Sequence, residues 1–265
     1  MRRKRRRVDP DEQLSLVEHL DELRSRLVVS LLALAVGITA GFIESQRILN
    51  LVKQPAEDAV GHPLKYLQTG PLDSFMASSS VSFYIGLLVA LPVITYQLYA
   101  FVIPAFSREH HRALRPLALM IPFLFLLGAA FGWYIVVPAA LNFLLNFNQS
   151  SFTVQLRAAN QIQFVALTLA AMGLIFEMPA VMLTLAKLRI VTAPLMRRTW
   201  RYAVVVLAVV AGVLPGADPV SFIAEFVPLL VLYAISYLIV AAVDRRVDRQ
   251  KKTTPSEPEH EAWPA

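Results

Sequence analysis

Long uncharged runs of apolar residues alternate with polar segments along the whole chain. A helix that crosses a bilayer needs about 20 predominantly apolar residues. Four of the runs reach or approach that length, and the last one does so although it contains Glu225. The pattern predicts an all-α polytopic membrane protein, with apolar runs at residues 27–43, 81–106, 117–145, 162–185, 202–214 and 220–243.

The fifth run, at residues 202–214, is short for a membrane span. As a helix it would be about 20 Å long, against a hydrocarbon core of about 30 Å. It either spans a locally thinned bilayer or forms a re-entrant hairpin with the sixth run. Residues 214–219, rich in proline and glycine, form a tight turn between the two runs. Charge cannot separate these interpretations, because both leave the C-terminus on the same side.

The basic residues are distributed unevenly around the predicted spans. With six spans, one side receives the N-terminal segment, residues 107–116 and 186–201, and the segment after 243. These segments hold all of the 25 lysines and arginines except Arg47, Lys53, Lys65 and Arg157. The positive-inside rule therefore predicts that both termini are cytoplasmic. The run Arg2–Arg7 is typical of a topology determinant resting on anionic lipid, an interpretation that we favour over binding to nucleic acid.

The predicted organisation has three parts. Residues 1–12 form a basic cytoplasmic arm, and residues 244–265 form a disordered cytoplasmic tail. Between them lies one membrane domain, 13–243, with spans at about 27–43, 81–106, 117–138, 162–185, 202–214 and 220–243.

Two segments beside the spans have patterns of their own. In residues 13–27, leucines recur at helical spacing on one face, while Glu22 and Arg26 lie four residues apart and can pair. This segment predicts an interfacial helix that leads directly into the first span. The long external segment 44–80 predicts a short interfacial helix followed by extended chain that caps the outer face.

The composition agrees with a membrane protein and points away from an enzyme. The chain is 56% hydrophobic and 17% charged, with a mean hydropathy of +0.54, whereas soluble proteins carry about 25% charged residues. It has no cysteine, and none of its five histidines falls inside an apolar run. It also lacks a phosphate-binding glycine loop and the common hydrolase motifs. We therefore predict no catalytic residue, no metal site and no cofactor.

Glu177 is the only charged side chain between Arg157 and Lys187, in the middle of an apolar run. A carboxylate in the membrane costs several kcal/mol unless it is neutral, paired or facing a wet cavity. One interpretation is a functional polar feature, including the proton relay of a small-solute transporter. The other is a protonated glutamate that hydrogen-bonds a neighbouring helix in a structural scaffold.

The remaining acidic residues of interest lie at the predicted membrane edges. Glu22 and Glu109 lie at the cytoplasmic edge, whereas Asp218 and Glu225 lie near the outer edge. Cytoplasmic carboxylates suit a cationic ligand, and arginine above all, because guanidinium and carboxylate groups match in geometry. The alternative for each is a local ion pair with a nearby arginine.

Several motifs together resemble the C subunit of the twin-arginine translocase, the TatC family. Residues 19–27, His-Leu-Asp-Glu-Leu-Arg-Ser-Arg-Leu, resemble the opening motif of that family. The further matches follow in the family's order and extend to about Tyr233: Pro55, residues 91–104, Phe131-Gly132-Trp133-Tyr134, Pro138, Phe176-Glu177-Met178-Pro179, residues 215–221 and Pro228.

This resemblance implies a receptor for exported folded proteins in the cytoplasmic (inner) membrane of a prokaryote. It implies a concave, glove-like bundle of six helices that binds twin-arginine signal peptides, associates with itself, recruits single-span TatA and TatB proteins and works by the proton-motive force. The implied signal-peptide site comprises Glu22, Arg24, Phe101, Glu109 and His110. Glu177 and Pro179 are the implied intramembrane contact with partners, and Pro55 and Asp218 are the implied external-face residues.

Three positions depart from the family's pattern. The first cytoplasmic loop has His110 where the family usually has glutamate, with Glu109 one residue earlier. The outer turn has Gly216-Ala217 in place of two common prolines, and Ala234 stands where glutamate is frequent in the sixth span. Glu225, on the same predicted helix as Ala234, is a possible substitute for the missing acid.

Overall fold

The computed structural model describes residues 16–67, 70–102, 108–147, 156–216 and 218–253, of which 16–19, 102, 108–119 and 246–253 are described by backbone alone. All regular structure in these residues is helical. It comprises α1 (Leu16–Ile43), α2 (Ser45–Val60), α3 (Asp73–Val102), α4 (Arg108–Phe131), a π-helical turn (Gly132–Val136), α5 (Val137–Asn146), α6 (Ala158–Phe176), α7 (Met178–Lys187), α8 (Ala193–Val213) and α9 (Pro219–Thr253). The predicted all-α class is confirmed.

Five segments in the described part of the chain are long and apolar enough to cross a membrane. They are Leu20–Ile43, Asp73–Phe101, Met120–Asn146, Ala158–Lys187 and Pro219–Arg245. The fifth apolar run lies in α8, which is not among these segments because its first half contains Arg197, Arg198 and Arg201. The helix α8 is therefore longer than the apolar run, and its additional residues include three arginines.

Several helices extend beyond the apolar runs that predicted them. The interfacial segment and the first run form one continuous helix, α1, and α3 begins at Asp73 rather than at residue 81. At the other end of the chain, α9 continues through Thr253, into the segment assigned to the tail. The charged residues there are good helix formers, so the end of the apolar run does not end the helix. The predicted arm at 1–12 lies outside the described residues.

Small residues bring α1 and α3 into close contact. Gly37 and Gly41 are one turn apart on α1, and they face Gly86 and Ser82 on α3. A Cβ atom on Gly41 would lie 3.1 Å from the Cα atom of Ser82, so the two backbones nearly touch. Because lipid supplies no hydrophobic force between helices, such close packing is a main source of their association. The pairing makes α1 and α3 antiparallel neighbours.

One end of the bundle is covered by α2 and the extended chain that follows it; we call it the α2 end. Val52, Pro55 and Ala56 of α2 are buried there. The buried apolar cluster at this end also includes Leu64, Val81, Val137, Leu141, Leu145, Ile162, Val165 and Leu169. The cap has the predicted helix followed by extended chain, but the predicted segment 44–80 is too long, because residues 73–80 already belong to α3.

Side chains satisfy the backbone where the chain leaves α2. The Glu57 carboxylate accepts a hydrogen bond from Leu64 N at 3.0 Å, and Lys53 Nζ lies 3.1 Å from the same oxygen. These two donors lower the pKa of Glu57, the Leu64 N–H more than the lysine. Across the cap, Gln161 of α6 donates from Nε2 to the carbonyl oxygen of Val52 at 2.9 Å. The cap is thus fixed to α6 by a buried hydrogen bond.

At the opposite end, α9 fixes the start of α8. The amide N–H of Ala193, at the first turn of α8, donates to Asp244 Oδ2 at 2.7 Å. Tyr233 donates from its hydroxyl to the carbonyl oxygen of Met196 at 3.1 Å. Met196 also packs with Ala186 and Val240 in a small buried cluster. Asp244 therefore acts as a helix cap supplied by another helix.

We expect Gly86→Ala to separate α1 from α3. The added Cβ atom would lie 2.5 Å from Ile38 N and 2.8 Å from the Gly37 carbonyl carbon, and backbone atoms cannot yield as side chains do. The free energy of unfolding should fall by about 1–3 kcal/mol. Gly212→Ala is the matched control, because its Cβ atom would meet nothing within 4 Å. Equal thermal stability of the two variants in the same detergent would contradict the close-packing argument.

Candidate functional site

Glu22 and Arg26 form an ion pair on α1 that extends to α3. Arg26 donates to Glu22 Oε1 from Nε at 3.0 Å and from Nη2 at 2.6 Å. Its remaining group, Nη1, donates to Gln97 Oε1 of α3 at 3.1 Å. Both side chains of the ion pair are about one quarter exposed, at 24% and 25%. We call these three residues the guanidinium site, because Glu22 and Gln97 together hold one guanidinium group.

The guanidinium site includes one residue that the sequence analysis did not single out. The ion pair between Glu22 and Arg26 is the one that their spacing in the sequence predicts. Gln97 belongs to the family motif at residues 91–104, and nothing else in the sequence assigns it a role. The signal was present, since Gln97 is an amide in an otherwise apolar run. Only the packing of α1 on α3 shows that it lies beside residues 71 positions away.

Of the other residues predicted for the signal-peptide site, the structure describes two with their side chains and two by their backbone alone. Arg24 is exposed on α1, and Phe101 is partly buried on α3, one helical turn after Gln97. Glu109 and His110 lie in the first turn of α4, in a stretch whose side chains are outside the described part of the structure. The exposed residues Leu20, Leu23 and Leu98 are near neighbours of Glu22 and Gln97 in sequence. The edge of the bundle around Glu22 and Gln97 thus combines charged groups with exposed apolar side chains.

Glu177 lies at a break between two helices. α6 ends at Phe176 and α7 begins at Met178, with the buried Pro179 in its first turn. Proline lacks an N–H group and its ring clashes with the preceding turn, which accounts for the break. Glu177 is only 4% exposed, so it faces neither lipid nor open water.

The Glu177 carboxylate is unpartnered in the described structure. Neither of its oxygens accepts or donates a hydrogen bond there. The structure therefore does not show the bond to a neighbouring helix that the scaffold interpretation requires. A buried polar group without a partner carries a free-energy cost, so this position is one that an added donor would stabilise.

Glu225 is a second buried carboxylate, and it does not replace the acid missing at Ala234. The two positions are nine residues apart, which places them on opposite faces of a helix. Glu225 is fully buried, with no hydrogen-bond partner for either oxygen among the described residues, whereas Ala234 is exposed. Glu225 belongs to the inward face of α9, which also carries Asp218, Ser221, Leu229, Leu232, Ser236 and Val240.

Asp218 begins α9 as its N-cap. Its Oδ1 atom accepts hydrogen bonds from Val220 N at 3.1 Å and from Ser221 N at 2.9 Å, and its Oδ2 atom accepts one from the Ser221 hydroxyl. Such a cap stabilises a helix by about 1 kcal/mol. Gly216 precedes it with φ of +104°, which proline cannot adopt, so this turn differs in backbone from one built on two prolines. Asp218 therefore has a clear local role at the turn.

The residues with a predicted role do not form one cluster. Glu22, Arg24 and Phe101 lie at the end of the bundle where α1 begins and α3 ends, whereas Pro55 belongs to the α2 end. Glu177 lies between these ends, inside the bundle. In the part of the chain that the structure describes, no group of three histidine or acidic residues is placed to hold a metal ion.

Comparisons with known proteins agree on one family. Residues 18–228 match the sequence model of the family described as Sec-independent protein translocase protein (TatC). A TatC protein of Desulforapulum autotrophicum is 30% identical over 91% of this chain and 90% of its own length. The chloroplastic TATC of Pisum sativum is 33% identical over 84% of this chain. The chain spans 62–65% of the length of three chloroplast relatives that it matches.

Two solved structures have the same fold. A crystal structure described as the twin arginine translocase receptor TatC superposes with a TM-score of 0.74, at 32% identity, over 86% of this chain and 100% of that chain. A second crystal structure of the receptor, described as in DDM, superposes with a TM-score of 0.73 at 33% identity. The matched length, the five candidate spans and the shared fold together show that this chain is a multi-pass membrane protein belonging to the TatC family of Sec-independent protein translocases.

Proposed function

We propose that this protein is the core receptor subunit of a twin-arginine translocation system. In this proposal it has six spans in a concave bundle, with both termini cytoplasmic, in the inner membrane of a prokaryote. It binds Arg-Arg signal peptides and organises the export of folded proteins driven by the proton-motive force. The observation that carries the proposal is the guanidinium site, where Glu22 and Gln97 already hold an arginine side chain.

The shape of this site favours arginine over lysine. Arg26 uses three nitrogens at once, two toward Glu22 and one toward Gln97. A guanidinium group offers such donors in one plane, whereas an ammonium group is a compact point donor. A signal-peptide arginine that enters the same place can therefore make bonds that a lysine cannot reproduce. This is the chemistry expected of a receptor for paired arginines.

The neighbouring residues complete the proposed peptide site. Arg24 and Phe101 flank Glu22 and Gln97 along their helices, and we assign them to the rim of the site. Glu109, at the start of α4, is the proposed acid for the second arginine, with His110 beside it as a bystander. The exposed leucines near Glu22 and Gln97 suit the apolar part of a signal peptide.

Glu177 is the proposed contact for the single-span partners TatA and TatB. Its two carboxylate oxygens are unused within the described chain, so a polar group on an incoming helix would find an acceptor there. The helix break at Pro179 is the place where α6 and α7 can move to admit it. The burial of Glu177 favours this role over a transporter's proton relay, which must exchange protons with water. Anionic lipid and a second copy of the chain are further proposed partners.

Glu22→Ala should weaken binding of an Arg-Arg signal peptide by about tenfold or more. A hydrogen bond to a charged group contributes roughly 1.5–3 kcal/mol, and the variant removes the acceptor. Affinity can be measured with the purified protein in nanodiscs. Glu44→Ala is the matched control, because it removes an exposed glutamate paired with Arg47 at 3.2 Å, near the α2 end. Unchanged affinity of a folded Glu22→Ala protein would remove Glu22 from the site.

Glu109→Gln should reduce export of a folded reporter, and His110→Gln should not. Glu109 lies in the first turn of α4, one residue earlier than the acid in the family's pattern, and a shift of one residue at the start of a helix needs only a local backbone adjustment. The two variants alter adjacent side chains, so each is a control for the other. Loss of export in the histidine variant alone would reverse the assignment.

Glu177→Leu should retain signal-peptide binding and lose crosslinking to TatA and TatB. The peptide site is at the edge of the bundle, whereas Glu177 lies inside it. Removing a buried polar group without a partner should also leave the thermal stability equal or higher. Glu225→Leu is the matched control, since it removes another buried, unpartnered carboxylate and should keep normal partner contacts. If both variants crosslink normally, Glu177 is not the partner contact.

A further inference from the structure

The proposed peptide site is occupied by the protein's own arginine. Arg26 Nη2 lies 2.6 Å from Glu22 Oε1, the shortest contact in the guanidinium site, and Nε adds a second bond to the same oxygen at 3.0 Å. A second guanidinium group cannot make these bonds while Arg26 makes them. A peptide arginine can therefore take these bonds to Glu22 Oε1 only by displacing Arg26.

We propose that Arg26 is a resident competitor, which fills the guanidinium site until an arginine of the signal peptide displaces it. The inference rests on the proposed function and concerns the regulation of the same site. Arg26 is well suited to the exchange, because it is part of the chain and remains one helical turn from Glu22 after release. When the peptide leaves, the Arg26 side chain can return to Glu22 and Gln97, where the next peptide must displace it again.

The geometry indicates that the exchange is easy. The Glu22–Arg26 pair is four residues apart on one helix and about one quarter exposed, rather than sealed inside the bundle. Ion pairs of this kind favour the paired arrangement over the unpaired one by about two- to fivefold. A binding site that is vacant only part of the time has its apparent affinity reduced by the vacant fraction. Arg26 should therefore weaken peptide binding by about two- to fivefold.

Competition of this kind sets affinity and leaves selectivity unchanged. Any cationic ligand that takes Glu22 Oε1 must displace Arg26, so Arg26 reduces the apparent affinity of an Arg-Arg peptide and of a Lys-Lys peptide by the same factor. Preference for arginine comes instead from the two acceptors on Glu22 and Gln97, which the nitrogens of one guanidinium group reach together. The two contributions can be measured separately.

The test compares Arg26→Gln with the unchanged protein, using synthetic Arg-Arg and Lys-Lys signal peptides and the full chain in nanodiscs. Glutamine has good helix propensity but no positive charge, so it cannot replace the two bonds that the Arg26 guanidinium group makes to Glu22. We expect both peptides to bind about two- to fivefold more tightly, with an unchanged ratio between them. Arg26→Lys keeps the positive charge but cannot bond to Glu22 and Gln97 together as a guanidinium group does. It should therefore give a smaller increase in peptide affinity than Arg26→Gln. It also provides the test if Arg26→Gln fails to fold.

The Glu22→Gln background separates competition from simple loss of positive charge. In that background Arg26→Gln should no longer improve binding, because the contested carboxylate is absent. An equal gain with and without Glu22 would identify a long-range charge effect and overturn the inference. Weaker or unchanged binding in Arg26→Gln, together with weaker binding in Glu22→Gln, would overturn the competition while the receptor function stands. Unchanged binding in Glu22→Gln would instead contradict the proposed function itself.

Discussion

The structure depends first on the need to satisfy every backbone hydrogen bond without water. Within lipid an α-helix does this along its length, and all five candidate spans are built from helices. At three places where a helix starts or ends, a side chain supplies a missing partner. Glu57 serves Leu64 N after α2, Asp218 serves the first turn of α9, and Asp244 of α9 serves Ala193 N. Three acidic residues thus stabilise helix ends.

The same constraint explains why two carboxylates stand apart from the others. Glu177 and Glu225 are buried within candidate spans and have no hydrogen-bond partner among the described residues. A group of this kind lowers stability, and membrane proteins that retain one commonly use it. The two differ in their setting, since Glu177 lies at a proline-induced break whereas Glu225 lies within the continuous helix α9. Only the break offers an obvious way for another helix to approach.

The guanidinium site is built at a helix–helix contact. Glu22 belongs to α1 and Gln97 to α3, and the glycine contacts at Gly37 and Gly86 hold these helices together. The spacing of two acceptors that suits a guanidinium group therefore depends on packing several turns away. Arg26 shows that the acceptors are placed correctly, since its side chain bonds to both. The guanidinium site and the helix packing are consequently linked in one pair of helices.

The sequence by itself determined the helical class, the spans with long apolar runs, the helix and extended chain that follow residue 44, and the pairing of Glu22 with Arg26. These depend on periodicity and short spacing, which are local properties. Tertiary structure alone placed Gln97 beside Arg26, capped α8 with Asp244, and put Glu225 on the face opposite Ala234. The physical reason is that a side chain's partner on another helix is decided by which faces pack, and hydropathy does not record that choice.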